Sequence, residues 1–388
     1  MRVLLASTAG AGHFGPLLPF IETLARRGDE PVLVIPPELE DRARSLGFPY
    51  RLSAEPPAQE VDAFWRRFPE LAPSKAAILV AREFFGRLGT AAMLPALEEA
   101  LRAWRPELIL HEPCAYAAAV VAVRSGIPHA QVAISLAKIE GSALAAAAPA
   151  LETYGEAVVA GIRGAPYLTR LPSSLDPSPF SKTERFRDPR PPAHPLPDWW
   201  NGAQGPLVYL TLGTVAGRLA VGPGAFRAIL RAISELPVRV LLTVGAGVEA
   251  STLGELPDNT HLEPWVAQDD VLGTASVVVC HGGSGTVFGA LAAGVPLVVI
   301  PLFADQQRNA ELVVTAGAGV AIQPVRRSNR GIGPIDASMV ARIRAAVISM
   351  LAEGNYRRQA QNVAREMSAA PEIEAVIAGV TGEARRRL

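Results

Sequence analysis

The sequence predicts an α/β fold with two doubly wound domains, each built on a parallel sheet, and three observations lead to this prediction. Short apolar runs typical of strands alternate with segments of helical apolar spacing, a pattern that favours parallel sheets covered on both faces. The alternation stops in a proline-rich stretch near the middle of the chain and then restarts. The length of 388 residues exceeds what one hydrophobic core usually supports.

The first domain is predicted to span residues 1–195. It opens with a strand, a glycine-containing turn, a helix and a second strand, and the alternation then repeats. The segments are RVLLAS (2–7), PLLPFIETLARR (16–27), PVLVI (31–35), ELILH (107–111), AYAAAVVAVRS (115–125) and HAQVAIS (129–135). Between about 170 and 205 the periodicity gives way to proline and turn residues, which indicates the end of this domain and a linker at about 186–205.

The second domain is predicted to span residues 206–388. Helix-like segments lie between and after its strands, and the stretch from about 336 onward is almost entirely helical in pattern. The predicted strands are PLVYLTL (206–212), VRVLLTV (238–244), SVVVC (276–280) and PLVVI (296–300). In doubly wound sheets ligands bind beyond the carboxyl ends of the strands, so we expect functional residues in the loops after these runs.

Composition excludes several classes of function. Lysine plus arginine and aspartate plus glutamate both number 37, so no excess of one charge favours nucleic acid as a partner. No apolar run reaches the ~18 residues of a membrane span, and no export signal is present, so we expect a cytoplasmic protein. Cys114 and Cys280 are expected to stay reduced. No Cys or His cluster has metal-ligand spacing and no Asp-x-Asp occurs, so no bound metal is predicted.

The segment CHGGSGTVFGALAAGVP (280–296) carries the most information about a ligand. A strand enters a loop of glycine and small hydroxyl residues that opens a helix, so backbone N–H groups and a helix N-terminus converge on one point. This arrangement binds phosphate, although a tight turn without a ligand fits the same residues. The residues concerned are His281, Gly282, Gly283, Ser284, Gly285 and Thr286.

Three further loops carry candidate ligand residues, two of them after predicted strands and one, EPWVAQDD, after a turn. Gly213 and Thr214 in YLTLGT can offer an N–H and a hydroxyl to phosphate. Trp265 in EPWVAQDD can stack on a planar base or cover the core. Asp305 and Gln306 in PLFADQQRNA suit sugar hydroxyls but are also ordinary residues at a helix start.

His13 lies in GHFGP, just after the first strand. The residue type allows a catalytic base, a phosphate contact or a turn residue. An unperturbed histidine pKa of about 6.5 leaves a neutral base available near pH 7. The position alone does not choose among these roles.

Taken together, HGGSGT, ADQ, WVAQ and GHFGP resemble the motifs of inverting glycosyltransferases with the GT-B fold. The resemblance is to bacterial natural-product enzymes related to plant UDP-glycosyltransferases, and it covers the whole chain in order. It implies two Rossmann-like domains with a cleft between them and a C-terminal helix that crosses back to the first domain. It also implies a metal-independent transferase with no tightly bound cofactor and a nucleotide sugar as co-substrate.

The resemblance implies a role for each loop of the second domain. Trp265 and Val266 would hold the base. His281, Ser284 and Thr286 would hold the diphosphate with help from Thr214. Asp305 and Gln306 would hold the sugar. The full implied donor set is Gly12, Gly213, Thr214, Trp265, Val266, Gln268, His281, Gly282, Gly283, Ser284, Gly285, Thr286, Asp305 and Gln306.

The resemblance also implies that His13 is the base that takes a proton from an acceptor hydroxyl. The family's usual partner of this histidine is an aspartate after a later strand, and LILHEPCAYAA offers Glu112 in that place. Glutamate can accept the same hydrogen bond from a longer arm. His111 beside it is expected to be structural.

The donor and acceptor are predicted from two more features. Many family members that use UDP-sugars have a ribose-binding glutamate where this chain has Gly289, which favours dTDP-sugars, often deoxysugars, with UDP-sugars retained. A hydrophobic natural-product aglycone is the expected acceptor, although core packing explains the same apolar residues. The residues expected to bind it are Phe14, Phe64, Trp65, Phe84 and Phe85, and Phe68 lies among them. A homodimer is compatible with the sequence.

Three alternatives remain at this point. A lipid-linked N-acetylglucosaminyl transferase of cell-wall synthesis has a similar two-domain plan but needs an apolar basic patch for the membrane, which the sequence does not show. A sugar-nucleotide epimerase shares the architecture and needs no acceptor. A non-catalytic partner of another transferase is a third interpretation, because Glu112 replaces the usual aspartate.

Overall fold

We analysed a computed structural model that describes residues 1–67, 71, 73–190, 192–214, 222–245, 248–324 and 337–385. The chain forms two compact units: unit 1 comprises Met1–Pro189 and Ala370–Leu388, and unit 2 comprises Arg190–Ala369. In the part of the chain that is described, no helix is long and apolar enough to cross a membrane. Phe68 lies outside the described residues.

Unit 1 contains a seven-stranded parallel sheet in the order β3-β2-β1-β4-β5-β6-β7. The strand order reverses at β1, which has β2 on one side and β4 on the other. The strands are β1 (Arg2–Ala6), β2 (Glu30–Ile35), β3 (Tyr50–Leu52), β4 (Leu108–His111), β5 (His129–Val132), β6 (Tyr167–Thr169) and β7 (Thr183–Arg185).

The helices of unit 1 cover this sheet with their apolar faces. They are α1 (Ala11–Phe14), α2 (Leu18–Arg26), α3 (Glu40–Leu46), α4 (Ala58–Arg67), α5 (Pro73–Leu79), a π-helix (Val80–Gly89), α6 (Thr90–Trp104), α7 (Tyr116–Ser125), α8 (Ala137–Leu151), α9 (Ala157–Gly164) and, from the end of the chain, α16 (Ile373–Arg385). Short 3₁₀ turns occupy Gly15–Leu17, Pro37–Leu39 and Glu152–Tyr154.

Helix α16 completes the core of unit 1. Its buried Ile373 and Ile377 belong to the same apolar cluster as Val3 in β1 and Phe20 in α2. The final helix therefore returns to the first unit, as the predicted fold class requires. The second domain predicted from the sequence ended at residue 388, whereas in the structure the segment from residue 370 onward clusters with unit 1 because of this packing.

Unit 2 contains a six-stranded parallel sheet in the order β10-β9-β8-β11-β12-β13. Its order reverses at β8, between β9 and β11. The strands are β8 (Leu207–Thr211), β9 (Arg239–Thr243), β10 (Thr260–Glu263), β11 (Ala275–Cys280), β12 (Leu297–Val299) and β13 (Gly319–Ala321). The helices are α10 (Gly222–Ile233), α11 (Gln268–Leu272), α12 (Ser284–Ala292), α13 (Gln306–Thr315), α14 (Ala337–Ala352) and α15 (Gly354–Ser368), with a 3₁₀ turn at Ala250–Leu253.

The alternation read from the sequence is confirmed in both units, and the predicted strands match observed ones to within a few residues. One segment differs. The stretch from about 170 was predicted to lack regular structure, yet β7 pairs with β6 and extends the sheet of unit 1. A strand of three residues is too short for period-two alternation to be detected among the prolines that surround it.

Candidate catalytic and donor sites

His13 and Glu112 meet where the strand order of the unit 1 sheet reverses. Ala6 of β1 is paired with His111 of β4, so the segments after these two strands leave the sheet side by side. Glu112 directly follows β4, and His13 lies in α1 after β1. His13 Nδ1 is 3.3 Å from Glu112 Oε2. The structure thus brings the two predicted catalytic residues together.

Thr8 links the two, and the sequence reading missed it. Its Oγ1 donates to Glu112 Oε1 at 2.7 Å and lies 2.9 Å from His13 Nδ1. Because the single hydroxyl proton of Thr8 points to the carboxylate, its oxygen is left to accept from an Nδ1–H of His13. The ring proton is therefore on Nδ1, and Nε2 carries the lone pair. A hydroxyl residue shortly after the first strand was the only sequence signal for this role.

Glu112 is fully buried and ionised. Burial alone would raise its pKa, but the charge and hydrogen bond of His13, together with hydrogen bonds from Thr8 and the backbone N–H of Cys114, hold the pKa below the ordinary glutamate value. The Cys114 N–H donates to Oε2 at 2.7 Å and the Thr8 N–H donates to Oε1 at 3.1 Å. Both carboxylate oxygens of Glu112 thus accept hydrogen bonds.

Cys114 stands close to this pair. Ligand atoms of His13, Glu112 and Cys114 lie within 4.8 Å of one another, a grouping that the spacing of cysteines and histidines in the sequence did not suggest. Burial, with the charges of Glu112 and Glu140, raises the pKa of the Cys114 thiol well above its ordinary value. A protonated thiol is a poor metal ligand, and both oxygens of Glu112 already accept hydrogen bonds. These three side chains therefore fit an acid–base pair with a neighbouring thiol better than a metal centre.

His111 is structural, as its position beside Glu112 suggested. Its Nδ1 lies 3.0 Å from the backbone oxygen of Glu112, and its Nε2 lies 3.1 Å from His129 Nδ1. Burial lowers the pKa of His111 and lowers the pKa of His129 to about 3, with the proximity of His111 adding to the second shift. Both rings are neutral at pH 7, and the pair joins β4 to β5.

Glu140 organises the loop after β5. Its Oε1 accepts from the backbone N–H groups of Ile134 and Ser135 at 2.8 and 2.6 Å, and its Oε2 accepts from the Tyr167 hydroxyl at 2.5 Å. Burial raises the pKa of Glu140 to about 8, against the lowering effect of these hydrogen bonds. The sequence reading did not single it out, because a lone glutamate in an alanine-rich helix gives no local signal.

The residues expected to bind the acceptor have different surroundings. Phe14 is 2% exposed and packs in the core of unit 1 with Leu17 and Phe20, so the structure gives it a packing role instead. Phe64 is also buried, whereas Trp65 is 44% exposed. Phe84 and Phe85 are half-buried.

The predicted donor residues other than Gly12 belong to unit 2. Gly12 is an exposed residue of α1 in unit 1, with open space where a Cβ would project. Thr214 is exposed and lies three residues beyond the end of β8, next to Gly213. The other predicted residues follow β10, β11 and β12; the last two of these strands were predicted from the sequence, and β10 was not.

His281 is held between two glycines where the strand order of unit 2 reverses. Thr211 of β8 is paired with Cys280 of β11, so the loops after these strands adjoin. A Cβ at Gly213 would lie 2.7 Å from His281 Cε1, and one at Gly283 would lie 2.6 Å from His281 Nε2. Side chains at either position would displace the ring, which explains the glycines.

His281 is neutral at pH 7. Burial lowers its pKa to about 4, against the opposing charge of Asp305. Its buried Nδ1 has no hydrogen-bond partner among the described residues. An unpaired buried acceptor is tolerated better than an unpaired donor, so we place the ring proton on Nε2. The ring can then donate one hydrogen bond without carrying charge.

The first turn of α12 contains the backbone N–H groups of Ser284, Gly285 and Thr286. Gly283 is the N-cap residue, and no side-chain hydrogen bond caps this end of the helix. Such an end attracts anions through these N–H groups and the helix dipole. Gly282 has φ +92°, and a Cβ there would lie 2.7 Å from Val299 Cγ1. The loop geometry therefore requires glycine at position 282.

Ser284 and Asp305 are joined rather than independent. The Ser284 hydroxyl donates to Asp305 Oδ2 at 2.7 Å, so its proton is directed to the carboxylate. Fully buried Asn309 donates from Nδ2 to Gly282 O at 2.8 Å and to Ser284 Oγ at 3.0 Å. The sequence reading missed Asn309, whose only signal is its position one helical turn after Asp305.

Gln306 supports the loop that was expected to hold the sugar. Its Oε1 accepts from the backbone N–H groups of Leu302 and Phe303 at 2.8 and 2.9 Å, and the residue is buried. Only its amide nitrogen remains to donate to a ligand. Ala304, between Phe303 and Asp305, has φ +53°, a conformation that non-glycine residues seldom adopt and that functional loops sometimes retain.

Trp265 is exposed, which excludes a role in covering the core. Its side chain is 69% exposed in the loop after β10. Val266 is half-buried next to it, and Gln268 begins α11. Gln268 Oε1 would lie 2.9 Å from a Cβ at Gly289, so α11 packs closely on α12 at this point.

Comparison with known protein families decides the identity of the chain. Residues 59–165 match the family model of the N-terminal domain of erythromycin biosynthesis protein CIII-like proteins, and residues 227–381 match the model of their C-terminal domain. The chain belongs to the erythromycin biosynthesis protein CIII-like family. The chain is thus a bacterial natural-product glycosyltransferase, and the epimerase and non-catalytic interpretations are not supported.

Individual relatives of the chain agree with this assignment. It is 30% identical to L-demethylnoviosyl transferase of Streptomyces niveus, with 99% of each chain covered. Its structure matches that of the glycosyltransferase SnogD from Streptomyces nogalater with a TM-score of 0.75, 24% identity and 99% coverage of both chains. It also matches spinosyn rhamnosyltransferase SpnG complexed with thymidine diphosphate, with a TM-score of 0.79, 22% identity, and coverage of 98% and 100%. The chain therefore has the GT-B fold.

Proposed function

We propose that the protein transfers a sugar from a dTDP-sugar to a hydroxyl group of a small hydrophobic acceptor, with inversion at the anomeric carbon. The observation that carries this proposal is the fixed orientation of His13 by Thr8 and buried Glu112. A histidine whose Nδ1 proton is held by a hydroxyl oxygen beside an ionised carboxylate offers Nε2 as a base.

The proposed reaction is a single displacement. His13 Nε2 accepts the proton of the acceptor hydroxyl while the oxygen of that hydroxyl forms a bond to the anomeric carbon. The bond between that carbon and the diphosphate oxygen breaks, and its electron pair leaves with the diphosphate. Inversion follows because one direct attack occurs without an enzyme nucleophile. Glu112 stabilises the imidazolium that forms.

The proposed donor site lies in unit 2. The N-terminus of α12 and the Nε2–H of His281 would bind the diphosphate and stabilise the charge that develops on it. Exposed Trp265 would stack on the base, and Asp305, oriented by Ser284, would accept hydrogen bonds from sugar hydroxyls. These contacts need no metal ion, so we propose a metal-independent transferase.

The preference for dTDP over UDP rests on Gly289. Gln268 Oε1 occupies the space next to this glycine, where UDP-dependent family members have a ribose-binding glutamate. A ribose 2′-hydroxyl would thus lack its usual carboxylate partner. The structure of SpnG with thymidine diphosphate supports the same preference, and the name of that protein, a rhamnosyltransferase, supports a deoxysugar as the transferred unit.

Calorimetry with dTDP, UDP and GDP, each with and without EDTA, tests the donor site. We expect dTDP to bind more tightly than UDP, with EDTA without effect, and GDP to bind weakly. His13→Ala should bind dTDP like the unmodified protein but lose about 10² to 10⁴ in turnover. Absence of binding by any nucleotide would contradict the donor site, and full turnover by His13→Ala would contradict the base.

A further inference from the structure

A row of aromatic rings leads from His13 to the surface of unit 1. The ring centroids of His13 and Phe85 are 5.5 Å apart, those of Phe85 and Phe84 are 5.2 Å apart, and those of Phe84 and Trp65 are 5.6 Å apart. Phe64 contacts both Trp65 at 4.9 Å and Phe84 at 5.5 Å. Ring contact is continuous from the proposed base to a tryptophan that is 44% exposed.

Three of these rings are not enclosed by the core. Phe64 is buried, whereas Phe84 and Phe85 are half-buried and Trp65 is 44% exposed. Single exposed apolar side chains are common on protein surfaces. Adjacent, partly exposed aromatic rings beside a candidate catalytic histidine are instead typical of a ligand surface.

The backbone that carries Phe84 and Phe85 is unusual. Both lie in the π-helix Val80–Gly89, and π-helical turns are rare and frequently occur at functional sites. An i→i+5 helix rotates less per residue than an α-helix, so consecutive side chains diverge less in direction. Gly86 allows close packing on α8, because a Cβ there would lie 3.2 Å from Ala147 Cβ.

An ion pair links the π-helix to α4. Arg87 of the π-helix donates from Nη1 to Glu60 of α4 at 2.8 Å and from Nε to Glu83 at 2.9 Å. Helix α4 carries Phe64 and Trp65, so this arginine joins the segment with the outer rings to the segment with the inner ones. This ion pair is about half exposed and adds little stability, so the aromatic side chains are held together mainly by their own ring contacts.

We propose that Trp65, Phe84 and Phe85 form the acceptor-binding surface and that the acceptor is a planar aromatic compound with a phenolic hydroxyl. This inference rests on the proposed role of His13 as base. Tilted and edge-on side-chain rings can make favourable offset or edge-to-face contacts with a flat aromatic ligand. An aliphatic macrocycle can gain only the burial of apolar area from the same rings. A phenol has a pKa near that of tyrosine, about 10, and loses its proton to an imidazole more readily than an aliphatic hydroxyl does.

Binding without any donor tests the surface directly. The full chain is titrated with a hydroxyanthraquinone and with a macrocyclic lactone of similar mass, and tryptophan fluorescence and calorimetry report binding. Phe84→Leu and Trp65→Leu keep apolar bulk but remove a ring. We expect each to weaken hydroxyanthraquinone binding by about 5- to 10-fold and to leave lactone binding unchanged. Trp65→Phe should restore most of the lost affinity.

Ile348→Ala is the matched control, since Ile348 is a 47% exposed apolar side chain of unit 2. It should bind both compounds like the unmodified chain. Melting temperatures show whether the variants fold. If Phe84→Leu is unstable, Trp65→Leu still tests the surface, because Trp65 is exposed. Unchanged hydroxyanthraquinone affinity in folded Trp65→Leu, or tighter binding of the lactone, would overturn the inference. Because no donor is present, these results are independent of nucleotide binding and of turnover by His13→Ala.

Discussion

Thr8 and Glu112, 104 positions apart in the chain, are joined by two hydrogen bonds, one from the Thr8 hydroxyl at 2.7 Å and one from its backbone N–H at 3.1 Å. The same hydroxyl oxygen lies 2.9 Å from His13 Nδ1. Thr8 therefore positions the histidine and the carboxylate with respect to each other, and it fixes the ring tautomer without contacting the reacting atoms.

Thr8→Val should lower kcat by about 10- to 100-fold, part of the 10² to 10⁴ that a general base supplies, and leave the KM for the donor unchanged. The cause is loss of the oxygen that accepts from Nδ1–H, so both tautomers of His13 become populated. Nitrogen-15 NMR of the ring checks this directly. Thr8→Ser should restore the rate and the single tautomer. A Thr8→Val protein with one tautomer and normal kcat would show that Thr8 only packs.

Gly282→Ala should destabilise unit 2 and weaken dTDP binding at least tenfold. The added Cβ would lie 2.7 Å from Val299 Cγ1 and 3.1 Å from the Gln306 backbone oxygen, on a residue with φ +92°. A strained conformation and overpacking each cost on the order of 1 to 3 kcal/mol. Urea unfolding and calorimetry measure both effects. Gly285→Ala is the control for stability, because nothing lies within 4 Å of its Cβ position and it lies in a helix. Equal stability of the two variants would contradict the prediction.

Gly289→Glu should shift nucleotide preference from dTDP toward UDP. A carboxylate at this position can bond a ribose 2′-hydroxyl, but its Cβ must first displace Gln268 Oε1, 2.9 Å away. We therefore expect Gly289→Glu alone to lose affinity for dTDP and the double variant with Gln268→Ala to bind UDP more tightly than Gly289→Glu does. Competitive calorimetry with both nucleotides checks the ranking. A preference that stays with dTDP in both variants would argue that position 289 does not face the ribose.

Acidification should destabilise the protein partly through His281. Its folded pKa of about 4 lies below the unfolded value near 6.5, so the unfolded state binds more protons between these values. The stability contributed by neutral His281 is complete above pH 6.5 and is lost as the pH falls toward 4. Between pH 7 and pH 5 this amounts to on the order of 2 kcal/mol.

His281→Gln removes that contribution while His111 and His129 keep theirs. Urea unfolding at pH 7 and pH 5 should therefore show a smaller loss of stability on acidification in the variant than in the unmodified protein. Parallel pH dependence in the two proteins would mean that His281 is protonated normally in the folded state.

Much of the fold followed from the sequence because strands and helices alternate in runs long enough to show their periods. His281 was predicted from the glycine-rich loop after a clear strand, whereas the roles of His13 and Glu112 were predicted from the resemblance of their segments to family motifs. Thr8 and Asn309 were missed because their roles depend on register and on contacts made across the sheet. The π-helix was missed because the 3.6-residue period used to recognise helices does not distinguish the wider π-helical turn from an α-helical one.

The return of α16 to unit 1 has a consequence for how the protein is made. Residues Ile373 and Ile377 leave the ribosome only after all of unit 2 has been synthesised, yet they fill the core beside Val3 and Phe20. During translation the apolar surface of unit 1 that later contacts Ile373 and Ile377 therefore remains exposed while unit 2 is synthesised and can fold. Unit 1 is therefore completed only after unit 2 has been synthesised, and expression of residues 1–189 alone should yield an aggregating fragment that a co-expressed segment 370–388 rescues.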